Sequence, residues 1–219
     1  MIRVIIFDFD GVIAESNNVK TEAFVKLFAD YPEEVRGAVK RFHLENGGMS
    51  RFEKFRYIYA NFLKEALSEK KFNELCIGFN RLVLDGVVNS PMADGVEEFL
   101  LRNRDKYDMY IVSGTPQDEI KTIVERRMLD KYFSGVYGSP ETKKRLIQLI
   151  LRENNYNPEE AVYLGDSIND YEGAEAAGVE FVAKIPDGLD FDPFPNVKLK
   201  TRIRKIEEFE EFLDEKNKK

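Results

Sequence analysis

The chain reads as an α/β protein, a doubly wound parallel sheet with a four-helix segment inserted after its first strand. Three observations lead there. Residues 4–7, Val-Ile-Ile-Phe, are apolar without alternation, as a strand covered on both faces requires. From residue 94 onward, helical and strand patterns alternate, which implies parallel strands with helices on either side. Between residues 15 and 89, by contrast, four helical patterns follow one another with no strand among them.

Taken in order, the first strand covers residues 4–7. Four helices are then predicted over residues 19–29, 33–44, 51–67 and 69–85. Each repeats apolar residues at i, i+3, i+4 and i+7, for example Phe52, Phe55, Ile58, Tyr59 and Phe62 in the third. Asp94 and Glu97 have capping-box spacing and open a helix to about residue 103. A strand over 109–112, a helix over 116–129, a weak strand over 135–137 and a helix over 142–153 follow. A strand over 161–164, an alanine-rich helix over 169–177 ended by Gly178, a strand over 179–183 and a helix near 206–214 complete the chain before a lysine-rich tail. The expected division is a core of residues 1–14 and 90–219 and a helical lid of residues 15–89. Ala14–Ser16 and Val88–Pro91 are its two hinges.

Composition narrows the function classes. The 219 residues suffice for one large core and a smaller appended unit. A net charge of −7 favours neither nucleic acid nor anionic lipid as partner. The single cysteine, Cys76, can form neither an internal disulfide nor a thiolate metal site. No signal peptide precedes the first strand and no apolar run nears the length of a membrane span. The expected setting is the cytoplasm.

Chemistry gathers at the ends of strands. Asp8 and Asp10 follow the first one, at the carboxyl edge where open α/β sheets bind ligands. Two carboxylates so close repel unless a cation lies between them or one keeps a proton. A hard cation such as Mg2+ takes oxygen ligands and keeps positions for phosphate oxygens, and a protonated carboxyl can serve as general acid. Ser113 and Gly114 follow the second strand, a hydroxyl and a glycine amide suited to phosphate oxygens. Lys143 shares a helical face with Leu146, Ile147 and Ile150 and so leans toward the sheet, whereas Lys144 is turned about 100° away. Asp166 and Asp170, one helical turn apart, again follow an apolar strand.

Asp8-Phe9-Asp10-Gly11-Val12, Ser113-Gly114, Lys143 and Gly165-Asp166-Ser167-Ile168-Asn169-Asp170 resemble the four ordered motifs of the haloacid dehalogenase-like hydrolase superfamily. The inserted helices are similar to the cap of its phosphoglycolate-phosphatase and β-phosphoglucomutase branch. The resemblance covers the whole chain and implies a Rossmann-like core. It also implies that Asp8 attacks phosphorus and that Asp10 moves protons. Asp8, the Asp10 carbonyl, Asp166 and Asp170 would hold Mg2+, while Ser113, Gly114 and Lys143 would grip the phosphoryl group. Asp10 sets aside the dehalogenating and phosphonate-cleaving branches, which lack an acid there. Where relatives carry Lys-Pro-x-Pro, this chain has its lysine after Ser-Pro-x-x.

The expected activity is therefore hydrolysis of a small phosphorylated metabolite, with a phosphomutase as the alternative. A phosphoacceptor signalling module is more distant, because such modules are shorter and lack the insertion. In the lid, Gly47-Gly48 breaks the bundle, and Ser50 with Glu53 caps the third helix. Arg51, which a capping box does not require, is expected to meet a second anionic group of the substrate. His43 reads as a partly exposed helix histidine.

Overall fold

Alternation along β1 (Val4–Phe7) explains its central position. Val4 and Ile6 point to one face, Ile5 and Phe7 to the other, and all four are fully buried. The computed structural model describes residues 1–185, 192–194 and 197–218. After β1 come α1 (Asn17–Leu27), α2 (Glu33–Glu45), α3 (Arg51–Ile58) and α4 (Glu69–Asn89). The alternating part consists of α5 (Val96–Asn103), β2 (Asp108–Pro116), α6 (Gln117–Arg126), β3 (Gly135–Ser139) and α7 (Lys143–Glu153). It continues with β4 (Ala161–Gly165), α8 (Ile168–Ala177), β5 (Glu180–Lys184), β6 (Thr201–Ile203) and α9 (Ile206–Asn217).

The six strands form one parallel sheet in the order β3-β2-β1-β4-β5-β6. Phe7 pairs with Ile111 on one side and with Leu164 on the other. Asp8, Ser113 and Asp166 therefore fall one or two residues beyond a common level, at the carboxyl edge where the strand order reverses. Ile5 and Phe7 pack with Phe99, Ile120 and Phe209 on one face; Val4 and Ile6 pack with Leu146, Ile150 and Ala174 on the other.

Inside the inserted helices Phe24, Phe55 and Phe79 form an aromatic cluster, with ring centroids 4.6 Å apart for Phe24–Phe79 and 5.5 Å for Phe24–Phe55. The two connections to the sheet lie side by side. Ala14 bridges Met92, and the Glu15 amide donates to the Pro91 carbonyl at 2.9 Å. Arg127 Nη1 donates to the carbonyls of Val87, Val88 and Ser90, holding the end of α4 against the core. Among the described residues no helix is long and apolar enough to cross a membrane.

The structure departs from the sequence reading at several ends. The third helix does not run to residue 67. After Ile58 it widens into a π-helical turn (Tyr59–Leu63), and Lys64, with φ of 55°, closes it through a bond from the Glu65 amide to the Tyr59 carbonyl. Asp94 does not cap α5. Gly95, with φ of 70°, occupies that place, and no side chain caps the helix. β2 extends through Ser113 to Pro116, with an irregularity against β3 after Val112, so Ser113 and Gly114 lie within the strand and not after it. α4 continues to Asn89, which moves the second crossing beyond Val88. β6, a three-residue edge strand, carries too little apolar pattern to be seen in advance.

Candidate active site

Asp8 leaves β1 directly into the crevice and is almost wholly buried. Its amide donates to the Leu164 carbonyl at 2.9 Å, which fixes the backbone. Its Oδ1 lies 3.1 Å from Lys143 Nζ, within ion-pair reach but outside hydrogen-bonding angles, and it accepts no hydrogen bond. Lys143 instead donates to Asp170 Oδ1. Burial opposes the charge of Lys143, but the Asp170 and Asp8 carboxylates hold its pKa above the ordinary lysine value. Lys144 is exposed.

Oxygens of Asp8, Asp166 and Asp170 lie within 4.8 Å of one another. Burial, with Asp170 next, raises Asp8 well above the usual carboxylate range, and the same two causes push Asp166 up to about 7. Asp170 is saturated: Lys143 and Tyr163 bond one oxygen, while the Ser167 amide and hydroxyl bond the other. Its second role is to complete the capping box that opens α8. Asp166 Oδ2 accepts from Asn17 Nδ2 at 2.9 Å. The orphaned Asp8 oxygen, the mutual repulsion and the all-oxygen donor set fit a hard divalent cation.

Asp10 is in a different state. Burial alone would raise its pKa, but the Lys20 ammonium, its hydrogen bond and that of Ser16 Oγ (2.6 Å) bring it below the ordinary carboxylate value. Lys20 also reaches Thr115 Oγ1 at 2.7 Å. Ser113 is buried, its Oγ accepting from the Thr115 amide at 3.1 Å.

The lid loop closes over this edge. Asn169 Nδ2 donates to the Gly47 carbonyl at 2.7 Å. Gly114 meets the Gly48 carbonyl so closely that an added Cβ would overlap it. Between lid and core remains a cavity of about 260 Å3, lined by Asp8, Asp10, Lys20, Arg51, Lys54 and Asp166 among others. Arg51 is buried, forked onto Glu119 of α6 at 3.0 and 2.5 Å and stacked on Phe79 at 4.5 Å. Of the expected residues, Asp8, Asp10, Arg51, Gly114 and Asp166 line this cavity, Lys143 and Asp170 adjoin Asp8 behind them, and Ser113 is buried within β2; Arg51 is engaged by a carboxylate of the core.

Sequence reading missed Ser16, Asn17 and Lys20 of the first inserted helix, Thr115, Glu119 and Lys54. The available signal was the helical spacing of Ser16 and Lys20 directly after the aspartate pair, which turns both toward the same point. His43 is half-buried, stacked on Phe24 with centroids 4.5 Å apart. Burial, and the nearby charges of Lys54 and Lys20, drive its pKa down to about 2.

Comparison with known proteins agrees with this geometry. The chain is 24% identical to phosphoglycolate phosphatase 1 of Pseudomonas aeruginosa over 83% of its length and 68% of that protein. It is 25% identical to a phosphorylated carbohydrates phosphatase of Thermotoga maritima, over 86% of the chain and 87% of the relative. A haloacid dehalogenase-type hydrolase of Bacillus subtilis, solved with magnesium and described by its interdomain movement, superposes with a TM-score of 0.70. That pair is 20% identical and covers 97% of this chain and 99% of the other. Residues 5–184 match the model of the haloacid dehalogenase-like hydrolases, and the chain belongs to that family.

Proposed function

We propose that the protein is a Mg2+-dependent phosphatase acting on a small phosphorylated metabolite, phosphoglycolate-like or sugar-phosphate-like. The observation that carries the reading is the buried Asp8 oxygen without a hydrogen-bond partner, set among Lys143 and the acids Asp166 and Asp170. The names of the two phosphatase relatives support the substrate class. In this reading residues 15–89 are a lid on a core of residues 1–14 and 90–219.

Asp8 attacks phosphorus in line, forming an aspartyl-phosphate as the bond to the ester oxygen breaks. The departing alkoxide takes a proton from Asp10. Asp10 then removes a proton from the water that attacks the aspartyl-phosphate, releasing inorganic phosphate and restoring Asp8. The ionised Asp10 favoured by Lys20 and Ser16 is the form that accepts this proton, and the proton taken here from water is the one Asp10 gives to the alkoxide of the next turnover. Ser113, the Gly114 amide and Lys143 hold the phosphoryl oxygens, and the lid excludes bulk water. Asp8, Asp166 and the Asp10 carbonyl, with Asp170 directly or through water, are the residues that would hold Mg2+, whose chemistry there is neutralisation of carboxylate and phosphoryl charge.

The test is release of p-nitrophenol from p-nitrophenyl phosphate with Mg2+, with EDTA and by Asp8→Asn. Release that depends on Mg2+ and falls about 1,000-fold or more in Asp8→Asn is expected. Metal-independent release, or full activity in Asp8→Asn, overturns the reading. Conversion of a sugar phosphate to its isomer without liberated phosphate would indicate the phosphomutase instead.

A further inference from the structure

Lys20, Arg51 and Lys54 line the cavity, and Lys143 stands beside Asp8, which also lines it; three of these four cations face carboxylates. Lys20 binds Asp10, Lys143 binds Asp170 beside Asp8, and Arg51 binds Glu119. Lys54 is the exception. It is 3% exposed, and no carboxylate of the described residues makes an ion pair with it. Among the described residues its Nζ hydrogen-bonds to His43 alone, at 3.0 Å from Nδ1 and 3.2 Å from the carbonyl oxygen, with the Phe24 ring 5.5 Å away. The contact with the His43 carbonyl helps close the end of α2, a structural use that occupies one donor. An ammonium carries three donors. His43 takes two, and the third remains for the cavity that Lys54 lines.

A buried cation without a counterion is costly, and an anionic ligand that supplies the missing charge offsets that cost. Burial and the charge of Lys20 pull Lys54 down to about 7, while Asp10 and Asp166 act in the opposite direction, so the group is within electrostatic reach of the reaction centre. We propose that Lys54, rather than Arg51, is the specificity residue of the lid, and that it takes a carboxylate at the non-reacting end of a small phosphate monoester. This rests on the phosphatase reading above and adds the second charged group of the substrate. One free donor and one positive charge match a carboxylate oxygen; a second phosphate would bring more charge and need more donors. A cavity of about 260 Å3 suits a substrate of a few carbon atoms. Arg51 then has another task. Its fork on Glu119 joins the start of α3 to α6 and holds the lid loop over Gly114.

The test compares two esters of similar size, phosphoglycolate and 2-hydroxyethyl phosphate, which differ in a terminal carboxylate against a hydroxymethyl group. Values of kcat/KM are measured with Mg2+ for the parent and for Lys54→Met, whose folding is checked by its melting curve. The parent is expected to prefer phosphoglycolate by about tenfold or more, as one charge-assisted hydrogen bond allows. In Lys54→Met the preference is expected to shrink to within about threefold of unity, chiefly through KM. A parent without preference for the carboxylate overturns the proposal and needs no variant. A folded Lys54→Met that keeps the preference, or loses both esters equally, also overturns it. Each of these outcomes leaves the phosphatase reading standing if phosphate is still released by the parent. A parent that hydrolyses neither ester nor p-nitrophenyl phosphate removes both.

Discussion

If Lys54 is kept for a ligand, the ligand-free protein bears its cost, and Lys54→Met is expected to melt at a higher temperature than the parent. The magnitude follows from the environment of the amine. Its pKa drops from 10.5 to about 7, first through burial and then through Lys20, with Asp10 and Asp166 opposing and Lys143 adding to the fall. At 1.36 kcal/mol per pH unit this corresponds to roughly 4 kcal/mol of destabilisation at pH 7, where the folded amine is already half deprotonated. Removing the amine also removes two contacts with His43, about 1 kcal/mol each. About 2 kcal/mol of net stabilisation remains, which for a chain of this size raises Tm by about 4–8 °C. Between pH 7 and 10.5 the unfolded chain holds a proton that folded Lys54 has released. The parent therefore gains stability relative to Lys54→Met as pH rises through that window, and the gap narrows. Scanning calorimetry in EDTA at pH 7 and pH 9.5 reads both effects. An unchanged or lower Tm for Lys54→Met at pH 7, or a gap that does not narrow, would refute the reasoning.

Gly114→Ala places a methyl group against the Gly48 carbonyl; kcat/KM should fall by about tenfold or more, because the lid loop no longer seats, with Tm little changed. Equal kinetics would show that closure does not use this contact. Glu119→Gln leaves the buried Arg51 guanidinium without its carboxylate. A loss of about 3 kcal/mol and a Tm lower by about 6–12 °C are expected, and a melting curve like the parent's would refute the ion pair as a lid fastening. Asp166→Asn should weaken Mg2+ binding at least tenfold while raising the stability of the metal-free protein, since it relieves repulsion from Asp170. Titration with Mg2+ followed by melting curves checks both directions.

Much of the fold was legible because its signals are local. The unbroken apolar run of β1 predicts burial on both faces, and Ser50 with Glu53 forms the capping box that its spacing implies. Lys143 was separable from Lys144 because the face it shares with Leu146, Ile147 and Ile150 has to meet the sheet. Asp94 misled for the complementary reason. Its spacing to Glu97 is correct, but Gly95 takes the left-handed conformation and turns the chain before the helix begins. Arg51, read as a contact for substrate, carries a partner that no local pattern announces, since Glu119 lies 68 residues away.

By itself the sequence determined the order of elements and the acids and hydroxyl at the sheet's carboxyl edge, because strand periodicity and register place them there whatever the rest of the chain does. Only the tertiary structure decided which charges are already neutralised. Lysines and arginines on amphipathic helices look alike in sequence, and their energetic state depends on burial and on carboxylates supplied by distant segments. Closing the inserted helices over the sheet joins Lys20 to Asp10 and Arg51 to Glu119, and leaves Lys54 buried without a counterion among the described residues.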